Sequence, residues 1–206
     1  MVNSITTVVF DIGNVLIEWN PDHLYRKLIP DTRERDVFLQ TVCSMEWNIQ
    51  QDLGRSWSQA VEILVKEHPD KADLIAAYSD RWHEMVPGEV PGTRQILEEL
   101  KQDGTPLYAI TNFSAEKFSE AQDRFPFLKS GFRDIVVSAE ERLIKPDPKI
   151  YKVLLERNGL EPASCYFIDD SERNAEAARS VGMSAHHFKT ADLLRDDLVR
   201  LGLLKA

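Results

Sequence analysis

Basic residues are in short supply. Lysine and arginine number 25 against 34 aspartates and glutamates, giving a formal net charge of −9. Binding nucleic acid or an anionic membrane calls for basic patches, so neither partner is expected. Cysteine is scarcer: Cys43 and Cys165 are the only two, one in a helical stretch and one in an apolar run. That usage predicts reduced core thiols and a cytoplasmic protein rather than a disulfide framework. No apolar run approaches the roughly 20 residues that a membrane helix needs. Met1-Val2-Asn3-Ser4 carries no basic segment ahead of an apolar core, so no leader is expected. Repeats and low-complexity tracts are also lacking. The remaining class is a globular protein, monomer or homodimer, of one large domain or a core with an insertion.

What is present centres on Thr6-Thr7-Val8-Val9-Phe10-Asp11-Ile12-Gly13-Asn14. A β-branched and aromatic run that stops on a carboxylate and a glycine reads as a buried parallel strand delivering Asp11 at its C-terminal end. Three more runs end the same way. Leu107–Ile110 leads into Thr111-Asn112, Ile135–Ser138 leads to Lys145-Pro146-Asp147, and Cys165–Ile168 leads into Asp169-Asp170. If the strands are parallel neighbours, one sheet edge collects three carboxylates, a hydroxyl and an ammonium group, at the place where open α/β sheets keep their chemistry.

Residues from about 20 to 86 carry only helical signals. Asn20-Pro21, Asp31-Thr32, Ser56 and Asp70 each open an amphipathic segment, four in all. From Gly92 onward helices and strands alternate, with Thr93 as a candidate helix cap, and this alternation implies right-handed βαβ units and a parallel sheet. The expected division is an α/β core of residues 1–16 and 88–206 with an all-helical cap, residues 17–87, inserted after the first strand. Hinge candidates are Leu16 to Asn20 and Pro87 to Pro91. An insertion that leaves the sheet beside Asp11 sits over that edge and can exclude water as a lid.

Phe10-Asp11-Ile12-Gly13-Asn14-Val15, Ile110-Thr111-Asn112, Lys145-Pro146-Asp147 and Phe167-Ile168-Asp169-Asp170, in this order and with a helical insertion after the first, resemble the haloacid dehalogenase-like hydrolase superfamily. Within it the chain is similar to small phosphatases whose first motif reads Asp-x-Gly-Asn. The resemblance implies a Rossmann-like core and a Mg²⁺-dependent phosphatase acting on a small phosphorylated metabolite, a sugar phosphate such as a hexose 1-phosphate being one candidate. It makes Asp11 the nucleophile that forms an aspartyl-phosphate. Mg²⁺ would be held by Asp11, the Gly13 carbonyl and Asp170, a hard-oxygen set suited to that ion, with Asp169 behind them. Thr111 and Asn112, with neighbouring backbone amides, would bind phosphate, Lys145 would neutralise charge on the transferring group, and Asn174 would support the acidic pair.

Gly13 departs from the pattern. Related phosphatases carry a second aspartate there that donates a proton to the leaving group and then activates water, and glycine can do neither. His23 is the nearest titratable candidate to replace it. Trp47, Asn48 and the turn Asp52-Leu53-Gly54-Arg55 look like the cap's substrate-facing loop, in which Arg55 could clamp an anion. Adjacent His186 and His187 would point to opposite faces of a strand, which disfavours a shared metal. Two other functions stay open. One is a 2-haloacid dehalogenase using Asp11 without metal, against which the acidic pair Asp169-Asp170 weighs. The other is a catalytically impaired phosphate-binding regulator, for which Gly13 is the only support.

Overall fold

The computed structural model describes residues 4–205, so the reading of the N-terminus lies in part on residues 1–3, outside the described residues. Five strands pair in parallel in one sheet. They are β1 (Thr7–Phe10), β2 (Leu107–Thr111), β3 (Asp134–Val137), β4 (Cys165–Asp169) and β5 (Ser184–His187), in the order β3-β2-β1-β4-β5. Every residue of β1, β2 and β4 is buried, which is why these strands read as unbroken apolar runs with no alternation. The chain builds outward from β1 on one side, then returns to build on the other. This places β1 beside the point where the strand order reverses, where a crevice opens at the C-terminal ends.

Side chains alternate across the sheet and feed two hydrophobic clusters. Val9 packs with Ile110, Phe167 and helix α10 (Pro148–Asn158). Val8 and Phe10 face α6 (Thr93–Gln102) and α12 (Ala191–Arg200). The remaining core helices are α7 (Ala115–Arg124), α8 (Phe127–Ser130), α9 (Ser138–Glu141) and α11 (Glu172–Ser180). Gly92, at φ 83, takes the N-cap of α6 that Thr93 was expected to fill, and Thr93 instead donates its hydroxyl to the Val90 carbonyl at 2.9 Å.

Between β1 and α6 lie α1 (Asp22–Leu28), α2 (Thr32–Thr41), α3 (Met45–Asp52), α4 (Trp57–Glu67) and α5 (Ala72–Asp80), with 3-10 turns at Pro69–Lys71 and Trp82–Met85. The sequence predicts four helical segments, and the difference is α3. The Ser44 side chain accepts from the Trp47 N–H and starts a new helix, so most of the stretch expected as a loop at 47–55 is helical. Asp31 and Ser56 cap α2 and α4 in the same way. Trp47, Trp57 and Tyr78 close the interior of the insertion, with ring centroids 5.2–5.5 Å apart, and belong to the same cluster as one face of the sheet. Both cysteines are buried and free. Among the described residues no helix is long and apolar enough to cross a membrane.

The two connections to the insertion run side by side. Glu18 donates to Gly88, Asn20 to Met85 and Val90 to Leu16, all through backbone at 2.9–3.0 Å. A second tie joins α3 to the core, where the Ser138 hydroxyl donates to the Asp52 carbonyl at 2.6 Å and accepts from the Phe113 N–H at 2.9 Å. Replacing Ser138 by alanine leaves both backbone groups unpaired at a buried site. The expected loss is about 1–3 kcal/mol of unfolding free energy, read by urea denaturation, and a change below roughly 0.5 kcal/mol would show that water takes over both bonds.

Candidate active site

Parallel pairing of Phe10 with Ile168 sets the ends of β1 and β4 level, so Asp11 leaves the sheet beside Asp169 and Asp170. The three offer carboxylate oxygens that all lie within 4.8 Å of one another. Lys145, from the loop after β3, places its Nζ 2.8 Å from Asp11 Oδ1 and 2.7 Å from Asp169 Oδ2. Asp169 is fully buried, and its other oxygen accepts from the Ser171 N–H at 2.8 Å and from Asn174 Nδ2 at 2.9 Å. Asn112 grips the Lys145 backbone from both sides: its Oδ1 accepts from the amide at 2.8 Å and its Nδ2 donates to the carbonyl at 3.1 Å. Each of the four chain segments expected at this edge is there.

Electrostatics set the state of these groups. Burial pushes the Asp11 carboxyl well above the usual carboxylate range; Lys145 pulls it back while Asp169 and Asp170 push it further up. Burial, then the charge of Asp169, also raises Asp170. Burial works against the Lys145 ammonium, but Asp11 and Asp169 outweigh it and hold its pKa above the ordinary lysine value. Three carboxylates against one ammonium leave two negative charges without a partner. A hard divalent cation is the natural complement, and the all-oxygen donor set fits Mg²⁺. Thr111, 1% exposed at the end of β2, has an Oγ1 with no hydrogen-bond partner among the described residues.

Over this floor opens a cavity of about 250 Å³ lined by Asp11, Gly13, Asn14, Asn112, Lys145, Asp170 and Asn174. Its walls are largely apolar, formed by Met45, Ile49, Trp57, Trp82, Phe113 and Ile144, with Asn48, Asp52, Ser114 and Lys117 as polar members. Thr111 and Asp169 lie behind the floor and do not line the cavity.

Several expected binding residues are elsewhere. Arg55 follows α3 and spends its guanidinium on Gln51 Oε1 at 2.7 Å and the Trp47 carbonyl at 3.1 Å, so it does not reach the cavity. Trp47 is 8% exposed and packs edge-on against Trp57 and Tyr78, as part of the insertion's core rather than of the cavity wall. His23 sits on α1, away from the cavity, which no histidine lines among the described residues. Asn112 reaches the cavity, but both ends of its amide are committed to Lys145, which makes it a holder of that lysine. The Phe113 amide, one of those expected to bind phosphate, is taken by Ser138. His186 and His187 pair separately with Asp197 and Glu172.

Sequence reasoning missed Lys117 and Trp82. A lysine on an ordinary amphipathic helix and a tryptophan before a loop give no signal of their own. Gly13 holds a different surprise. It does not adopt positive φ, which falls on Asn14 at φ 55, and a Cβ added to Gly13 would meet nothing within 4 Å.

The family described as haloacid dehalogenase-like hydrolase matches residues 5–182. A sesquiterpene phosphatase, astK, of Aspergillus oryzae is 28% identical over 208 residues, covering 91% of this chain and 92% of that protein. Flavin mononucleotide hydrolase 1 of Arabidopsis thaliana is 30% identical over 115 residues, 54% of this chain, and the match spans only 45% of its length. A HAD family enzyme of Bacteroides thetaiotaomicron, solved as a magnesium complex, superposes with a TM-score of 0.72 at 21% identity, covering 93% of this chain and 99% of its own. The parallel sheet with its inserted helices is thus shared with solved members of the group. The chain belongs to the haloacid dehalogenase-like hydrolases.

Proposed function

We propose that the chain is a Mg²⁺-dependent phosphatase that hydrolyses a small phosphorylated metabolite through a phosphoryl group carried on Asp11. The observation that carries this reading is Asp11 at the cavity floor, bridged by Lys145 to Asp169 and crowded by a third carboxylate. That charge arrangement has no use in displacing halide from carbon, where a second and third carboxylate would only repel the substrate's own. It suits phosphoryl transfer, which needs cations on both sides of the reacting group.

Asp11 Oδ attacks phosphorus while Lys145 offsets charge on the nucleophile and on the transferring group. Asp169 keeps the lysine in place, with Asn174 and the Ser171 amide fixing Asp169 in turn, and Asn112 fixing the lysine's backbone. Thr111 Oγ1, unpartnered behind the floor, would donate to a phosphate oxygen seated deeper than the cavity now reaches. Asp11, Asp170 and the Gly13 carbonyl would hold Mg²⁺, with Asp169 behind them; when bound, the ion supplies charge neutralisation between the anionic substrate and the carboxylates. Residues 17–87 act as a cap that excludes water from the core formed by 1–16 and 88–206.

The cavity wall bears on the substrate. With Arg55 turned away, the polar contacts for an organic moiety come from Asn48, Asp52, Ser114 and Lys117, and the rest of the wall is aromatic or aliphatic. A leaving group with an apolar face suits this wall better than a bare hexose does. The name of the Aspergillus oryzae relative points the same way.

Two outcomes are expected. Hydrolysis of p-nitrophenyl phosphate requires Mg²⁺, stops in excess chelator and is abolished in Asp11→Asn; a variant retaining a tenth of wild-type turnover removes Asp11 as the nucleophile. Separately, thermal unfolding without substrate should shift up with Mg²⁺, by an amount equivalent to about 2.7 kcal/mol at a hundredfold excess over Kd. Asp170→Asn should lose most of that shift, and equal shifts in both proteins would take Asp170 out of the ion site.

A further inference from the structure

The floor of the cavity lacks a proton donor at Gly13, where there is open space in place of a side chain. Its far wall supplies a carboxyl. Asp52, the last residue of α3, lines the same cavity as Asp11, Gly13 and Lys145. Its position is built from both sides of the molecule. The Ser138 hydroxyl of α9 holds its backbone carbonyl at 2.6 Å, and Asn48 Nδ2 donates to its Oδ2 at 3.1 Å. Asn48 is itself 7% exposed and accepts from the Tyr78 hydroxyl at 3.3 Å. The carboxyl is therefore aimed by an Asn–Tyr relay and a core serine, where a turn at the surface would leave it free to rotate.

We propose, on the basis of the phosphatase reading above, that Asp52 is the catalytic acid and base of this enzyme, reaching the leaving-group oxygen from the cap. In the first half-reaction the bond from Asp11 Oδ to phosphorus forms and the bond from phosphorus to the ester oxygen breaks. The Asp52 proton passes to that oxygen, so an alcohol leaves and Asp52 becomes a carboxylate. In the second, Asp52 takes a proton from water as the water oxygen bonds to phosphorus. The bond between phosphorus and Asp11 then breaks, inorganic phosphate leaves, and the Asp11 carboxylate and the Asp52 acid are both restored.

The surroundings of Asp52 suit a group that must hold a proton near neutrality. Burial pushes its carboxyl up to about 7, against a smaller downward pull from the Ser114 backbone amide. The charged and titratable groups around it are few. From α7, Lys117 lines the cavity but is paired with Glu120 at 2.5 Å, and Glu116 accepts from the Trp57 N–H. From α5 comes the Tyr78 hydroxyl, and from the floor Asp11, Lys145 and Asp170. Arg55, three residues on, is turned away. Among the described residues no cation is bonded to Asp52, so none on the cap side drives its proton off.

The test compares 2-phenylethyl phosphate, whose alcohol must leave protonated, with p-nitrophenyl phosphate, whose phenolate leaves unaided, from pH 5 to 9 with Mg²⁺. In the wild type, kcat/KM for the alkyl ester should fall as pH rises through about 7, as the acid loses its proton, and the aryl ester should lack this limb. Asp52→Asn should lower the alkyl kcat/KM by about 10²–10⁴ and erase the limb, while the aryl value stays within roughly tenfold. Its aryl kcat should fall further than kcat/KM, with a burst of p-nitrophenol as the phosphoryl group stays on Asp11 for want of a base. Equal losses on both esters, or an alkaline limb that survives in Asp52→Asn, overturn the assignment. Should that variant not fold, the wild-type profiles decide: a limb confined to the alkyl ester supports Asp52, and its absence overturns it. Asp11→Asn separates the two claims. Turnover in Asp11→Asn removes the nucleophile and this proposal with it, whereas a dead Asp11→Asn beside an Asp52→Asn of unchanged selectivity overturns Asp52 alone.

Discussion

The C-terminal edge of the sheet depends on one ammonium group. Lys145 is 4% exposed and stands between two buried carboxylates, at 2.8 Å from Asp11 and 2.7 Å from Asp169. Taking three charges out of water costs several kcal/mol per ion, and mutual attraction recovers it only where further hydrogen bonds satisfy the remaining lone pairs. Those bonds are what the other motifs contribute. The Ile12 amide reaches Asp11 Oδ1 at 2.7 Å, the Ser171 amide and Asn174 complete Asp169, and Asn112 locks the lysine's main chain. Removing the lysine would leave two carboxylates facing each other in a dry crevice, so this residue is structural before it is chemical.

The same constraint explains why so much of the core could be read from the sequence. A parallel strand buried on both faces has to be apolar throughout, and a carboxylate that ends such a run stands out. β1, β2 and β4 announce themselves for that reason, together with Asp11, Thr111 and the Asp169-Asp170 pair. The insertion obeys a different rule. Which way Arg55, Trp47 or His23 points depends on how five short helices rotate against each other, and the helical pattern fixes only which face is apolar. Arg55 bonds back onto α3, to the Gln51 side chain and the Trp47 carbonyl, a use that no spacing betrays. Trp47, Asn48 and the turn Asp52 to Arg55 read as a substrate-facing loop; that Asn48 and the Asp52 carboxylate meet the cavity while Trp47 and the Arg55 guanidinium do not was not legible. The positive φ of the turn after β1 belongs to Asn14 and not to the neighbouring glycine.

The insertion is anchored more firmly than two antiparallel connections require. Ser138 holds the Asp52 carbonyl, Trp57 Nε1 donates to Ser114 Oγ at 2.8 Å, its backbone amide donates to Glu116, and Arg124 reaches the carbonyls of His83 and Pro87. Two of these five bonds, both from Trp57, end on Ser114 and Glu116, directly after the strand that carries Thr111, and Ser138 also accepts from the Phe113 N–H there. On the proposed cap reading, moving the insertion would pull on the segment that joins Thr111 to α7, through which it is tied to the core.

On the assignments proposed above, with the nucleophile on the core and the acid on the cap, the chemistry would be conditional on that joint. An aspartate at position 13 would share the turn with Asp11 and would not depend on cap position, and the structure leaves room for its Cβ. With glycine there and Asp52 as the proposed acid, the leaving-group oxygen would meet a proton only with α3 in place. The substrate's organic part is then more than an anchor: contacts with Met45, Ile49, Trp57 and Trp82 hold the cap wall against it, and binding energy from a part that does not react goes into assembling the acid. A small aryl phosphate escapes this requirement because its leaving group needs no proton. Selectivity then arises from whether a leaving group is both poor enough to need Asp52 and apolar enough to keep it in place.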